Sequence, residues 1–140
     1  MSASAKLEAA LKAIAAKMSG HVDVGFLEGA TYADGTPVAS VAFWNEFGAS
    51  GPPRPFFRGM IASESPSWGP KVAKLAQATH NDGAKVLALM GEDIEGALKQ
   101  SIVDFKDPPN APSTIKRKGF NKPLIDTSHM VNSTGHKVEK

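Results

Sequence analysis

The sequence predicts an α+β domain: a small, mostly antiparallel sheet covered by an N-terminal helix and long central helices, with an extended Pro-rich arm. Three observations carry this reading. Helical apolar stripes run through the start and the middle of the chain, a period-two stretch sits between them, and the segment after residue 105 has prolines and lysines but no periodicity. A length of 140 residues fits one domain, taken as 1–140 with 106–123 as a loop or arm.

Leu7, Leu11, Ile14 and Met18 recur at helical spacing with Lys6, Glu8, Lys12 and Lys17 on other faces, which predicts an amphipathic helix over 4–18 ended by Ser19-Gly20. Val22, Val24 and Phe26 then alternate with Asp23 and Gly25, the pattern of a strand. Residues 29–35 are turn-rich and form a loop or the tip of a hairpin.

Thr36-Pro37 reads as an N-cap followed by proline at the first helical position. Val38, Val41, Ala42 and Asn45 share one face of the resulting helix over 37–47, with Phe43 and Phe47 four apart on another and Gly48 closing it. Residues 51–55 hold three prolines and are extended, and Phe56, Phe57 and Arg58 continue them into a short extended or helical stretch.

Trp68, Val72, Leu75 and Thr79 resume a helical stripe, broken or bent at residues 80–83. A second stripe of Val86, Met90, Ile94, Leu98, Ile102 and Phe105 runs to the Asp107-Pro108-Pro109 stop. Asp126 or Thr127 can cap a last helical turn, and 133–139 is a final strand.

Function classes narrow from composition. The chain has no cysteine, which excludes disulfides, thiolate catalysis and Cys-ligated metals and fits assembly in a reducing cytoplasm. No stretch approaches the roughly 18 apolar residues of a membrane span, and Lys6, Lys12 and Lys17 interrupt any signal-peptide core. The net charge of +2 is uneven: residues 1–105 hold 9 Lys/Arg against 11 Asp/Glu, and residues 106–140 hold 7 against 3.

His21, His80, His129 and His136 lie in unrelated local contexts with no helical i, i+4 pair for a metal, and each reads as an isolated surface histidine. Glu92, Asp93 and Glu95 read as the solvated face of the second central stripe. No nucleophile elbow or phosphate loop is present. The chain is therefore read as non-enzymatic, with no catalytic residue, cofactor or metal.

Two clusters stand out for binding. Lys116, Arg117, Lys118 and Lys122 beside Phe120 form a basic arm suited to an acidic protein face or a polyanion. In the proline segment, Phe56 and Phe57 can anchor in a pocket while Arg54 and Arg58 make charge-assisted bonds, with Glu46 a candidate partner for one arginine. These five are subunit-interface candidates; the other reading is that the segment closes its own subunit's core.

Several segments in order carry a resemblance. They are Val22-Asp23-Val24-Gly25-Phe26-Leu27, Asp34-Gly35-Thr36, Asn45-Glu46-Phe47-Gly48 running into Pro52-Pro53-Arg54-Pro55-Phe56-Phe57-Arg58, and Lys122-Pro123-Leu124-Ile125-Asp126-Thr127. Over about residues 20–135 the chain resembles the neck, or tail-completion, proteins of long-tailed bacteriophages, also described as minor tail or virion morphogenesis proteins. The resemblance implies a virion protein at the head–tail junction, assembled in the host cytoplasm into a homo-oligomeric ring of six copies. Such a ring contacts other neck and tail proteins and lets DNA pass through its channel.

Two positions depart from the family pattern: Ser128 stands where glycine follows Asp-Thr, and Gly135 stands where an apolar strand residue is expected, which predicts a short or frayed last strand. A tail terminator or other minor tail protein shares the same size and symmetry. In a different class, the basic arm fits a free nucleic-acid-binding module whose affinity falls steeply with salt.

Overall fold

Two strands at opposite ends of the chain pair with each other, and the helices between them close over the pair. The computed structural model describes residues 2–48, 52–104 and 129–139. In order these form α1 (Ala3–Met18), β1 (His21–Phe26), α2 (Val38–Phe47), α3 (Phe56–Ala78), α4 (Gly83–Asp104), α5 (His129–Asn132) and β2 (Thr134–Glu139). The α+β class with a small antiparallel sheet is as expected. Among the described residues no helix is long and apolar enough to cross a membrane.

β1 and β2 are antiparallel and in register from His21↔Glu139 to Phe26↔Thr134. The last strand is thus six residues long and paired along its whole length, which corrects the expectation of a short or frayed one; Gly135 sits opposite Gly25. Alternation sends Val22, Val24 and Phe26 to one face, and Val24 and Phe26 pack against the core.

The cover over that face comes from α4, which packs on both strands and on α3. Its stripe buries Val86, Met90, Gly91, Leu98 and Ile102. At Gly91 the sheet comes so close that a Cβ would meet the His136 ring at 2.6 Å and Val22 Cγ2 at 2.9 Å. The main core joins Leu98 and Ile102 of α4 to Val38 and Ala42 of α2, Phe56 and Met60 of α3, and Met130 of α5.

α3 is one helix from Phe56, not a short stretch followed by a second stripe at Trp68, and it runs through Pro66 and Pro70. The two prolines remove the donors to the carbonyls of Ala62 and Pro66. Ala62, Pro66 and Pro70 are spaced by four on an exposed face, so water can satisfy those carbonyls and the helix continues. The break expected at residues 80–83 is real. His80 and Asn81 take positive φ (55° and 62°), Asn81 N–H donates to Ala76 O, and the Asp82 carboxylate accepts from Lys85 N–H at 3.2 Å to open α4.

The start of α2 differs in detail from expectation. Pro37, not Thr36, is the N-cap residue. Thr36 is engaged instead in closing the preceding turn: its carbonyl accepts from Tyr32 N–H at 2.8 Å and its N–H donates to the Asp34 carboxylate at 2.9 Å. Gly48 closes α2 in the left-handed conformation (φ 78°), its N–H donating to Trp44 O.

α1 stands apart. Ser2 caps it through a hydrogen bond from Ala5 N–H, and it buries no residue. Its fixed point is its last turn, where the Lys17 carbonyl and Met18 lie so close to Gly83 that no Cβ fits there. Leu7, Leu11 and Ile14 are exposed, so the N-terminal helix contributes little cover to the sheet.

Candidate interaction surface

The last residues of α2 and the first of α3 lock together through one carboxylate. Pro55 precedes α3 and offers no side-chain cap. Glu46 supplies it from α2: Oε1 accepts from Phe57 N–H at 2.9 Å and Oε2 accepts from Arg58 N–H at 3.4 Å. A negative charge at a helix N-terminus is favoured by the helix dipole and by the free N–H groups there.

Arg58 completes the clasp, its Nε 2.7 Å from Glu46 Oε2 and its Nη2 donating to Glu46 O at 3.1 Å. Its guanidinium lies 4.5 Å above the Phe47 ring centroid. Glu46 is buried and Arg58 is half in solvent, so the pair is partly screened and the caps do most of the holding. Arg54 ties the loop back to α2, with its N–H donating to Asn45 O at 2.6 Å and Nη1 to Asn45 Oδ1 at 3.3 Å.

The five interface candidates therefore divide. Glu46 and Arg58 are partners, and Arg54 bonds to Asn45, all within one chain. Phe56, expected as an interface anchor, is 2% exposed and belongs to the core, edge-on to Phe26 at 6.3 Å between centroids. That corrects its assignment: the proline segment delivers Phe56 into its own subunit. Phe57 is half-buried against the same cluster. The basic arm of Lys116, Arg117, Lys118 and Lys122 lies outside the described residues, as do Asp126, Thr127 and Ser128.

What remains open is an apolar groove of about 290 Å³ between α2 and the start of α3. Phe26, Ala42 and Phe57 line it, Phe43 and Phe47 wall it, and Arg58 lies along it. The Phe43 and Phe47 rings pack against each other along α2, tilted by 46° with centroids 4.7 Å apart, and form one wall. Phe43 and Phe47 are exposed, as are Trp44 on the same helix and Leu27 beyond β1. The i, i+4 spacing of Phe43 and Phe47 was the sequence signal for this surface, more direct than the proline segment.

Three histidines are not isolated. His136 Nδ1 lies 2.9 Å from Glu95 Oε1, on a partly buried contact that ties β2 to α4, and Lys99 Nζ is 2.9 Å from the other oxygen. Burial pushes the Glu95 carboxyl up, but the hydrogen bonds from His136 and Lys99 outweigh it and hold the group below its usual range. Glu95 is thus a tie between elements, whereas Glu92 and Asp93 are exposed as expected, with Asp93 bonded to Lys71. His129 Nε2 meets Thr31 O at 2.6 Å and its ring lies against Tyr32.

His21 is 3.2 Å from Glu139 and 3.8 Å from Asp23, and one ligand atom from each lies within 4.8 Å of the others. All three are exposed. Lys137 pairs with Glu139 at 3.1 Å along β2 and is the chief cause of its lowered pKa, while His21 stands opposite Glu139 in the register. No spacing in the sequence marks these pairs; the register and the α4–β2 packing create them.

No protein-family model, curated protein or solved structure matches the chain. The groove is lined by aromatic and apolar side chains, and the carboxylate in its lining, Glu46, is engaged with Arg58 and with the backbone at the start of α3.

Proposed function

We propose that this chain is a non-enzymatic structural subunit of a bacteriophage virion. In this reading it forms part of the neck or tail-completion ring that joins the tail to the DNA-filled head, with other neck and tail proteins as neighbours and DNA passing through the channel. The observation that carries the reading is the clasp. Asn45-Glu46-Phe47-Gly48 and Pro52 to Arg58, the two parts of one of the blocks closest to the neck-protein pattern, are bonded to one another through Glu46 and Asn45, and the other block, Lys122-Pro123-Leu124-Ile125-Asp126-Thr127, lies outside the described residues. The two bonded parts frame an exposed aromatic groove suited to another protein surface rather than to a small reactive substrate.

The test is assembly. DNA-filled heads and finished tails prepared without this chain should fail to join, and adding the purified full chain should restore infectious particles. Native mass spectrometry of the chain should give a closed ring of fixed copy number, six by the resemblance. Failure to restore joining overturns the reading.

A further inference from the structure

We infer that α1 of one copy docks in the α2–α3 groove of a second copy, so that each subunit gives a helix to one neighbour and receives one from the other. Two apolar surfaces lie open on the same chain. On α1, Leu7, Leu11 and Ile14 are 62%, 57% and 41% exposed at positions i, i+4 and i+7. On α2, Phe43, Trp44 and Phe47 are 59%, 44% and 51% exposed, at and beside the groove.

These are the two halves of helix-in-groove recognition, in which an amphipathic helix lays its i, i+4, i+7 side chains into an apolar cleft. α1 is 16 residues, or about 24 Å at 1.5 Å per residue, long enough to bring all three side chains to one surface. It is gripped at its last turn against Gly83, so its outer turns project from the body.

Charge selects the occupant. α1 carries Lys6, Lys12 and Lys17 against Glu8, a net +2. From Leu27 to Arg58, the stretch that holds α2 and the groove-lining start of α3, Glu28, Asp34 and Glu46 stand against Arg54 and Arg58, a net −1, with Glu46 and Arg58 paired in the clasp. The Asp34 carboxyl is held below its usual range by the Thr36 N–H, so it stays negative. A helix of net +2 therefore meets a segment of net −1, whereas α1 against α1 would set like charges together.

A contact between two different patches of the same chain is head-to-tail, and repeated by rotation it closes into a ring. The inference deepens the ring reading and rests on it, because both require a second copy. It assigns the contact that the sequence had placed on Phe56 to Phe43 and Phe47 instead.

The chain has no cysteine, so single thiols report cleanly. L11C and F47C variants, mixed as full chains and mildly oxidised, should cross-link to each other roughly tenfold more than L11C with the exposed control K74C. F43C should behave as F47C does. A yield no higher than the control overturns the inference. So does an L11C homodimer as abundant as the mixed product, which would mean pairing between α1 helices. An F47C thiol that resists alkylation in dilute monomer also overturns it, because the groove would then be covered by its own chain. The ring reading fails separately. A closed ring in native mass spectrometry without the L11C–F47C product leaves the ring and removes this contact; the product on open chains of varying length leaves the contact and removes the ring.

Discussion

α1 and α4 are built on the same kind of pattern, apolar residues every three or four positions with charges between, yet they end in opposite environments. In α4 the stripe is consumed within the chain: Val86, Met90, Leu98 and Ile102 are all buried against the sheet, α3 and α2. In α1 the stripe of Leu7, Leu11 and Ile14 is open and no residue is buried. An amphipathic stripe states that a face will be covered but not what covers it. Here the difference separates the part of the chain that folds the subunit from the part that, in our reading, joins it to the next.

The strongest way to test that contrast is to truncate one leucine on each helix. Leu98 is fully buried in the main core, so Leu98→Ala should cost about 2–5 kcal/mol of unfolding free energy in urea titration. Leu11→Ala should leave monomer stability within about 0.5 kcal/mol and weaken self-association. Equal destabilisation by both would mean that α1 belongs to the folding core.

Glu46 comes next in size. Glu46→Ala removes two backbone caps and the Arg58 pair, an expected loss of about 2–3 kcal/mol, and frees the start of α3. Amides of residues 56–58 should then exchange faster while those of residues 94–102 keep their protection relative to global unfolding. A stability change under about 0.5 kcal/mol would show the clasp to be incidental.

Gly91→Ala adds a methyl where the His136 ring and Val22 already touch the helix, at an expected cost of about 1–3 kcal/mol. The chemical shifts of β1 and β2 should move with it, because the strands must shift away from α4. The corresponding change at Gly96, which has open space, should be neutral or slightly stabilising.

The smallest effect is acid-linked. Glu95 has a depressed pKa in the folded chain, so its contribution is present above the unfolded pKa and lost as pH falls through the folded one. Between about pH 5 and about pH 3 the urea midpoint of the wild type should therefore fall more than that of Glu95→Gln. Equal slopes would remove Glu95 as an acid-sensitive tie between α4 and β2.

Local rules made much of the fold legible. The spacing of Leu7, Leu11 and Ile14, the alternation of Val22, Val24 and Phe26, and the Gly48 cap each report on residues within one turn or one strand. Two readings failed where a longer-range fact overrode the local rule. Phe56 to Arg58 read as a short stretch separate from a stripe resuming at Trp68, but the residues between are helical too, and Pro66 and Pro70 lie along one exposed side, so α3 is continuous. Phe56 follows an extended proline segment and reads as an interface anchor, but Glu46, on another helix, caps α3 there and the ring lies in the core.

The binding surface was half legible. Glu46 and Arg58 were marked as possible partners and do pair, and the i, i+4 aromatics of α2 were visible without any sign of which would stay exposed. The His136–Glu95 tie joins residues 41 apart, and His21–Glu139 depends on strand register, so no local pattern could carry either.

Hydrogen exchange of the full chain as a function of protein concentration tests the central claim most directly. In dilute solution the amides of residues 7–14 should exchange quickly, because among the described residues nothing covers them. As concentration rises, residues 7–14 should gain protection in step with residues 43–47, while residues 86–102 stay protected throughout. Protection of residues 7–14 that is already complete at the lowest concentration, or that never changes with concentration, would contradict a stripe covered by a second copy.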